Sequence, residues 1–545
     1  MNQWTGPLAA LTAIALALAC QLDTEDAYND YLELGDEDQS DDPDLDDGDE
    51  DSSTTGSDYE PIETSTSGPS SPPMEEPPPG GPAILEFSVT PPLLHEAGPV
   101  SLQVEHTPDV ESVILFDIYD GETRLLAELG PNEPWTYAIT SEADFAGLHE
   151  LHAIVIDEHD RWAESEAELI VDLPPAGSAI WINEGEGDES PLSFALAVAA
   201  VDTGVVLAGT DYNAGSDHAF ARLYDGHTSE LSWTYKAPKG VYISDVEADP
   251  SGGVVLVGHV DVDDTMKAWV HHLDLSGAPS WPSPIDWLEN TAATAVAVDQ
   301  YGGIYAAGEA TQLGMFEHTD IFVWHIPAEG QGMPTWATWG SNIAPTPIDR
   351  ASSIALTNDQ RVLIGGSTTA STGNNFVERM AVLEYRDVEI LQRWVASGES
   401  TEESRGLEIS ALENDIVVAG WRRLSLNDPP TSFGVRLHEA SPNTTLETVW
   451  EFPSGYDFPG QVFGVDQDPN GRVVMLETFF GSPDGLRAIA LHPNGLPAWS
   501  AEYKHLGNGD TAARGLSIDQ YGYVYFAGTL ANDGKFHTLL GKLRP

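Results

Sequence analysis

The stretch that decides the fold is Thr294-Ala-Val-Ala-Val-Asp-Gln-Tyr-Gly-Gly-Ile-Tyr-Ala-Ala-Gly308, which returns near the end of the chain as Arg514-Gly-Leu-Ser-Ile-Asp-Gln-Tyr-Gly-Tyr-Val-Tyr-Phe-Ala-Gly528. In each copy an alternating apolar run reaches an aspartate, a four-residue turn follows, and a second apolar run ends at a glycine. Alternation with a period of two indicates a β-strand, and Asp first and Gly fourth favour a type I turn. The stretch predicts a β-hairpin that repeats along the chain.

Weaker copies of the hairpin lie between and before these two, with turns such as Asp249-Pro-Ser-Gly252 and Asp468-Pro-Asn-Gly471. The closing glycine recurs as Gly209, Gly258, Gly308, Gly366, Gly420 and Gly528, and the sixth copy has Glu477 instead. A tryptophan follows each of the first six hairpins: Trp233, Trp281, Trp336, Trp394, Trp450 and Trp499. A period of about 50 residues is the length of one four-stranded propeller blade, in which the tryptophan marks the fourth strand.

The last copy stops at Leu543 without a tryptophan strand, but Ala179-Ile-Trp181-Ile lies just before the first hairpin. Seven hairpins therefore match seven tryptophan strands if the N-terminal strand completes the final blade. Such closure removes an exposed sheet edge. We predict an all-β chain in which residues 178–545 form a seven-bladed β-propeller of four-stranded blades.

These repeats resemble the bacterial β-propeller repeats of the SBBP type, in which a D-x-x-G-x-x-Y-x-x-G hairpin follows a tryptophan strand. The Gly turn before Trp in Leu273-Asp-Leu-Ser-Gly-Ala-Pro-Ser-Trp281 also resembles quinoprotein-type propellers. Both resemblances imply architecture, and the first implies a secreted setting. Neither implies a particular activity, and the cofactor ligand set of the quinoprotein enzymes is not identified in this sequence.

Residues 82–174 read as short alternating strands separated by turns, which predicts an immunoglobulin-like β-sandwich. The predicted strands are Ala83–Val89, Val100–Glu105, Ser112–Tyr119, Trp135–Thr140, His149–Asp157 and Ala163–Leu173. The segment from Leu148 to Ala163 resembles the last hairpin of bacterial Ig-like modules.

The N-terminal sequence predicts where the protein is located. Residues 1–19 have the short apolar core of a signal peptide, and Leu16-Ala-Leu-Ala-Cys20 resembles a bacterial lipobox whose sole cysteine, Cys20, would carry the lipid. An ordinary secretory signal with an incidental cysteine is the alternative. No Lys or Arg precedes the apolar core, so either the true start lies upstream or the leader relies on its free amine. Residues 20–81 are acidic and proline-rich, which predicts a disordered tether. We expect a lipid-anchored protein of the bacterial cell envelope, and Gln21 favours the outer membrane or cell surface.

The composition excludes one class of partner. The chain carries a formal net charge of −67, and such a surface repels nucleic-acid phosphates. No cofactor is predicted. Calcium is a weak alternative at Asp261-Val-Asp-Asp264, since this loop has neither the Gly nor the distal Glu of an EF-hand.

No catalytic set stands out, and no metal site is predicted. His149, His152 and His159 are interpreted as surface histidines, since they have no Cys or paired carboxylate in a ligand pattern. His271 and His272 should lie on opposite faces of a strand, which makes a shared metal awkward. Three tryptophans outside the repeat pattern are candidates for exposed aromatic contacts: Trp287, Trp339 and Trp421.

The favoured function is non-catalytic binding of an envelope or extracellular protein or polysaccharide through the propeller loops. One alternative is an envelope polysaccharide lyase or hydrolase with its site in the propeller funnel. A second alternative is a scaffold for envelope assembly. The ligand, the propeller face used and the oligomeric state are not indicated by the sequence.

Overall fold

The computed structural model describes most of the chain after residue 80. The signal peptide, Cys20 and the acidic tether lie outside the described residues. The described ranges are 81–95, 97–119, 122–131, 133–141, 146–159, 161–185, 190, 192–212, 218–263, 265–281, 284–312, 318–328, 335–340, 349–372, 375–386, 388–397, 402–425, 428–439, 446–452, 459–480, 484–504, 510–532 and 535–544.

The described chain is all-β, as predicted. The first eight strands are β1 (Ile84–Thr90), β2 (Leu93–Leu94), β3 (Gly98–His106), β4 (Val110–Tyr119), β5 (Glu122–Leu129), β6 (Thr136–Ser141), β7 (Gly147–Asp157) and β8 (Trp162–Val171). The others are β9 (Ala179–Glu184), β10 (Ser193–Val201), β11 (Gly204–Asp211), β12 (His218–Asp225), β13 (Leu231–Lys236), β14 (Val241–Ala248), β15 (Val254–Val262), β16 (Thr265–Leu273), β17 (Ile285–Glu289), β18 (Thr291–Val298), β19 (Ile304–Gln312), β20 (His318–Ile326), β21 (Thr335–Trp339), β22 (Arg350–Leu356), β23 (Val362–Thr372), β24 (Asn375–Arg386), β25 (Glu389–Val395), β26 (Glu403–Leu412), β27 (Asp415–Arg423), β28 (Thr431–His438), β29 (Glu447–Phe452), β30 (Gly460–Gln467), β31 (Val473–Phe479), β32 (Gly485–Leu491), β33 (Pro497–Tyr503), β34 (Asp510–Ile518), β35 (Val524–Asn532) and β36 (Lys535–Leu543).

Strands β1 to β8 form two sheets that share one core. The three-stranded sheet has the order β1-β3-β6 and the five-stranded sheet the order β2-β8-β7-β4-β5. Leu102 of the first sheet packs in one apolar cluster with Leu115 and Leu151 of the second. The six predicted strands are present, whereas β5 and the short β2 were missed. The missed strand β5 pairs with β4 at the edge of its sheet, where both apolar and charged side chains are tolerated.

The rest of the described chain forms seven four-stranded sheets, which gives a propeller-like architecture. Six of these sheets use four consecutive strands, beginning at β10, β14, β18, β22, β26 and β30. The seventh has the order β34-β35-β36-β9. We call the first strand of each sheet its inner strand, because each inner strand contacts the next one around the structure and β34 contacts β10.

The predicted pairing of the N-terminal strand with the last hairpin is observed. Strand β9 is antiparallel to β36, with Ile182 opposite Gly541 and Trp181 opposite Lys542. The indole Nε1 of Trp181 and the ammonium of buried Lys542 both donate to the carbonyl of Gly226, at 3.1 and 2.9 Å. The two ends of this region are thus held by backbone and side-chain hydrogen bonds together.

The recurring aspartate has a structural role in the hairpin turn. In the third sheet the backbone N–H of Gly302 donates to the carbonyl of Asp299 at 2.9 Å. The Asp299 carboxylate also accepts from the N–H groups of Tyr301 and Gly303, both at 2.8 Å. Gly302 has a φ of +80°, which is why glycine is required at the fourth turn position.

One tryptophan departs from the predicted pattern. The fourth strand of the second sheet is β17, which begins after Trp281 and contains Trp287 instead. Trp281 precedes the strand and is buried, at 7% exposure, against the ring of His272. The indole fills the core at this sheet without belonging to the ladder.

Candidate functional site

Each of the seven inner strands carries a bulge at the equivalent place, where one residue has no partner on the second strand. The bulge residues are Leu196, Ser244, Thr294, Ser352, Leu407, Phe463 and Arg514. A bulge bends its strand and redirects the side chains around it. All seven bulge residues line one cavity.

The closing glycine of the repeat lies opposite the residue before the bulge in six of the seven sheets. Gly308 lies opposite Ala293, the residue just before the bulge, and a Cβ on Gly308 would lie 2.0 Å from the carbonyl oxygen of Ala292. The repeated glycine therefore admits a close backbone approach beside the bulge. The sixth sheet has the bulge with Glu477 at this position, and the Glu477 carboxylate accepts from Nε of Arg487 at 2.6 Å.

The cavity has a volume of about 1150 Å³ and is lined by the inner strands of all seven sheets. This volume is slightly larger than the range of about 300–1,000 Å³ that ligand pockets occupy in proteins. The sheets are tied together around it by polar contacts at equivalent positions, which shows that the inner strands run side by side in the same direction. The contacts are Val296 N to Asp245, Thr294 Oγ1 to the Ala351 carbonyl, Ser353 Oγ to Glu408, Ser410 Oγ to Asp466, Ile518 N to Asp466, and Ala200 N to Ser517 Oγ.

Four carboxyl groups line the cavity after the bulges, and we call them the carboxyl cluster: Asp245, Glu247, Glu408 and Asp466. Burial raises the pKa of both aspartates to about 6, although each accepts two backbone N–H bonds. Burial also raises the pKa of Glu408 well above its ordinary value, and the charge of Asp245 adds to that effect. Carboxyl groups whose pKa lies near neutrality can exchange protons with a ligand.

Glu247 also belongs to the carboxyl cluster, and burial raises its pKa to about 8. Its side chain is exposed to the cavity, but the protein that encloses the cavity lowers the hydration of the carboxylate. The charges of Asp245 and Asp466 raise the pKa further. Because Asp466 lies three sheets away by the shorter way around the ring, this coupling acts across the cavity.

The other half of the cavity carries arginines. Arg405 lies two residues before the bulge of its strand, and Arg514 occupies the bulge of β34. The carboxyl cluster lies beyond the bulges, whereas the arginine half holds charges of both signs. Glu309 lies in the arginine half, where burial raises its pKa and the charges of Arg350 and Arg405 oppose that rise.

The two ends of the cavity differ in what surrounds them. We call the end where the inner strands begin the strand-start mouth, and the opposite end the strand-end mouth. A smaller cavity of about 340 Å³ adjoins the strand-end mouth, shares Glu247, and is also lined by Ala97 of the N-terminal sandwich. The backbone N–H of Ala97 donates to the hydroxyl of Tyr523 at 2.7 Å. The sandwich therefore contacts the strand-end mouth, and the arginines lie towards the strand-start mouth.

The three tryptophans proposed as exposed contacts do not form one surface. Trp421 is only 7% exposed and packs in an apolar cluster with Leu407 and Phe463, so its prediction as an exposed contact is wrong. Trp339 is half-buried against the apolar side chains of the third and fourth sheets. Trp287 lies in β17, and its side chain is outside the described residues.

The interpretation of the sandwich histidines as surface residues is wrong for two of the three. His149 is 3% exposed, stacks on Tyr119 and contacts the carboxylate of Asp117 at 2.9 Å. His152 is 6% exposed, with Nδ1 2.7 Å from a carboxylate oxygen of Glu164. Polar side chains can occupy buried strand positions when a partner satisfies them, and the partners are distant in sequence. His159 is exposed, as predicted.

His152, Glu164 and Glu166 form a group whose ligand atoms lie within 4.8 Å of one another. These three residues could hold a metal ion on the β7–β8 hairpin, a possibility that the sequence pattern did not indicate.

His271 and His272 are both buried and have different neighbours. His272 Nε2 lies 2.8 Å from a carboxylate oxygen of Asp249, whereas His271 packs against the ring of Trp269. This agrees with opposite faces of β16. The Asp261–Asp264 loop contains one residue outside the described ranges, and Asp261 lines the large cavity.

Sequence reasoning missed the carboxyl cluster and the cavity arginines. A signal was present, because Asp245 and Glu408 occupy the repeat position that holds Ala295 in the stretch quoted first. A charge in place of a small apolar residue, at a repeat position of known orientation, indicates a site.

No helix long and apolar enough to cross a membrane occurs among the described residues.

No protein-family description and no curated protein matches the sequence. Several solved structures are similar in fold. A protein of unknown function from Dyadobacter fermentans is 12% identical, with a TM-score of 0.38, over 68% of this chain and 100% of that one. A hydrazine synthase from Kuenenia stuttgartiensis is 9% identical, with a TM-score of 0.41, over 64% and 97%. A ulvan lyase of a polysaccharide lyase family is 11% identical, with a TM-score of 0.41, over 67% and 97%. Values this low carry no argument about activity.

Proposed function

We propose that the chain is a non-catalytic binding protein of the bacterial cell envelope, whose central cavity receives part of its ligand. The cavity supports this proposal, because all seven inner strands place a bulge residue in its wall. A repeated β-bulge that directs side chains into one cavity is typical of a binding site on a rigid scaffold.

The proposed architecture has four parts. Cys20 carries a lipid after removal of residues 1–19, residues 20–81 form the tether, and an Ig-like sandwich follows. The seven sheets are the blades of a closed seven-bladed β-propeller. The contact of Ala97 with Tyr523 supports entry of the ligand at the strand-start mouth, since the sandwich adjoins the opposite end.

The experiment is capture of a ligand by the immobilised full chain from an extract of bacterial envelopes. The matched variants are Ser244→Trp, which fills the cavity from a bulge position, and Tyr301→Trp, which changes an exposed turn residue. We expect the wild type and Tyr301→Trp to retain the same protein or polysaccharide and Ser244→Trp to lose it. Equal retention by a folded Ser244→Trp variant would place binding outside the cavity.

The carboxyl cluster favours a second candidate function, an envelope polysaccharide lyase or hydrolase. Glu247, with a pKa of about 8, could hold a proton at neutral pH, while Asp245 and Asp466 are largely ionised. Such a division suits general acid and base roles. Shortening of a captured glycan by the wild type, and its absence in Glu247→Gln, would replace the binding proposal with the enzymatic one.

A scaffold for envelope assembly is the third possibility. Recovery of a stoichiometric envelope protein complex that is insensitive to Ser244→Trp would support it, because assembly would then use outer surfaces.

A further inference from the structure

The inference concerns Arg514 and rests on the proposed binding function, which it deepens by naming the ligand chemistry. Arg514 is the bulge residue of the seventh inner strand. At the equivalent position the other six sheets have apolar or hydroxyl side chains. Arginine is therefore not needed for the bulge itself, and its presence at this place requires another explanation.

Arg514 lacks an anionic partner among the described residues. Its Cζ lies 5.6 Å from the ring centroid of Phe463, and its Nε is buried without a hydrogen bond. Two other arginines have a close carboxylate partner: the buried Arg222 lies 2.8 Å from Asp211, and the half-buried Arg472 lies 2.6 Å from Asp468. An arginine without a carboxylate partner among the described residues is unexpected in this chain, because its 89 acidic residues far outnumber its 22 basic ones.

A guanidinium that is enclosed without an anion is costly, since it loses hydration and gains no ion pair. Burial lowers the pKa of Arg514 to about 10, so the side chain stays charged at neutral pH. The neighbouring sheet does not supply the missing anion, because the carboxylate of Asp466 accepts its hydrogen bonds from Gln467 N, Ile518 N and Ser410 Oγ. The stabilising anion would have to enter from outside.

A second guanidinium lies in the same half of the cavity. Arg405 is 2% exposed, and its Nε is 3.9 Å from a carboxylate oxygen of Glu378. The charge of Arg405 also acts on Glu309, where it opposes the rise in pKa that burial causes.

We propose that Arg514 binds an anionic group of the ligand, either a carboxylate or a sulfate ester. The planar guanidinium can donate two parallel hydrogen bonds to two oxygens of either group. The carboxyl cluster beyond the bulges would repel the anion from the strand-end half, which fixes the orientation of the ligand in the cavity.

Calorimetric titration of the full chain at constant ionic strength tests the proposal, with sodium sulfate and sodium glucuronate as probes. The variants are Arg514→Met, which keeps an apolar contact with Phe463, Arg514→Lys, which keeps the charge, and Tyr301→Ala, a control at an exposed turn residue that does not line the cavity. We expect the wild type and Tyr301→Ala to bind at least one probe equally well. Arg514→Met should weaken binding by about 10-fold or more and Arg514→Lys by less, since one charge-assisted pair contributes about 1.5–3 kcal/mol.

The outcomes separate the two probes and the two proposals. Preference for sulfate or for glucuronate identifies the anionic group. Failure of the wild type to bind either probe, or equal binding by wild type, Arg514→Met and Arg514→Lys, overturns the inference. If Arg514→Met does not fold, the folded Arg514→Lys variant still decides, because unchanged affinity contradicts bidentate recognition. Ligand capture that persists in these variants leaves the binding function intact and removes only the role of Arg514.

Discussion

The carboxylate of Asp245 accepts a hydrogen bond from the backbone N–H of Val296, in the neighbouring sheet, at 2.9 Å. It accepts a second bond from the N–H of Val246 in its own strand at 2.8 Å. The side chain therefore joins two sheets at the wall of the cavity, although burial disfavours its charge. The protonation state of Asp245 is therefore coupled to the contact between the two sheets.

The stability of the Asp245→Asn variant should increase relative to that of the wild type as the pH rises. Burial raises the pKa of Asp245 from 3.8 to about 6 in the folded state, so the folded protein holds a proton that the unfolded chain has lost. The wild type consequently loses stability between about pH 4 and pH 6, and the neutral asparagine does not. Urea unfolding at pH 4, 5, 6 and 7 measures the difference between the two proteins.

The opposite sign is expected for Asp225→Asn, which serves as the control. The pKa of Asp225 is lowered, first of all by the backbone N–H of Thr228. Its carboxylate stabilises the folded state above the ordinary pKa of 3.8, and this contribution is lost as the pH falls below it. A pH-independent difference for Asp245→Asn would contradict the raised pKa.

Gly308→Ala should destabilise the propeller-like region by about 2 kcal/mol or more, because overpacking against backbone cannot relax easily. The added Cβ would meet the carbonyl of Ala292 at 2.0 Å and disturb the bulge at Thr294. Chemical denaturation measures the loss. Tyr301→Ala, in the same hairpin and 77% exposed, should change stability by less than about 0.5 kcal/mol. Equal stabilities of the two variants would show that the glycine does not support the bulge.

Trp181→Phe and Lys542→Met should be non-additive. Both native side chains donate to the carbonyl of Gly226, so each single variant leaves that carbonyl with one partner. The double variant leaves a buried acceptor without either donor, which costs about 1–3 kcal/mol. A double-mutant cycle from urea unfolding should give a coupling of about 1 kcal/mol in the destabilising direction. Strict additivity would mean that the two donors act independently.

Asp117→Ala should destabilise the N-terminal sandwich by about 3 kcal/mol, because it removes the partner of the buried His149. The exposed pair of His95 and Asp172, with side chains 70% and 72% exposed, provides the control in the same sandwich. Asp172→Ala should cost less than about 0.5 kcal/mol. Thermal unfolding followed by near-ultraviolet circular dichroism distinguishes them. Similar losses in both variants would contradict the burial of His149.

The hairpins could be predicted because their information is local. The run from Thr294 to Gly308 contains the strand alternation, the aspartate that accepts turn N–H groups, and the glycine that needs a positive φ. The pairing of β9 with β36 was also predictable, since a missing repeat unit at one end matched a spare unit at the other. The number of repeat units therefore predicted this long-range pairing.

The candidate site was less predictable because it is assembled across sheets. Glu247 and Asp466 influence one another although 219 positions separate them in the sequence. The burial of His149 and Trp421 likewise depends on neighbours from other strands. Periodicity gives the face on which a side chain lies, but not the neighbour that satisfies or covers it.

The pairing of β9 with β36 also sets an order of events during synthesis. Strand β9 leaves the ribosome before any other strand of the seven sheets, and its partner leaves last. Its hydrogen-bonding edge must stay uncommitted while some 350 residues are added, a delay that exposes nascent chains to mispairing. The seventh sheet is complete only when β36 arrives, so a product truncated before Lys535 would keep six complete four-stranded sheets and leave β9 without its partner. Such a product would present an unpaired strand edge to other chains.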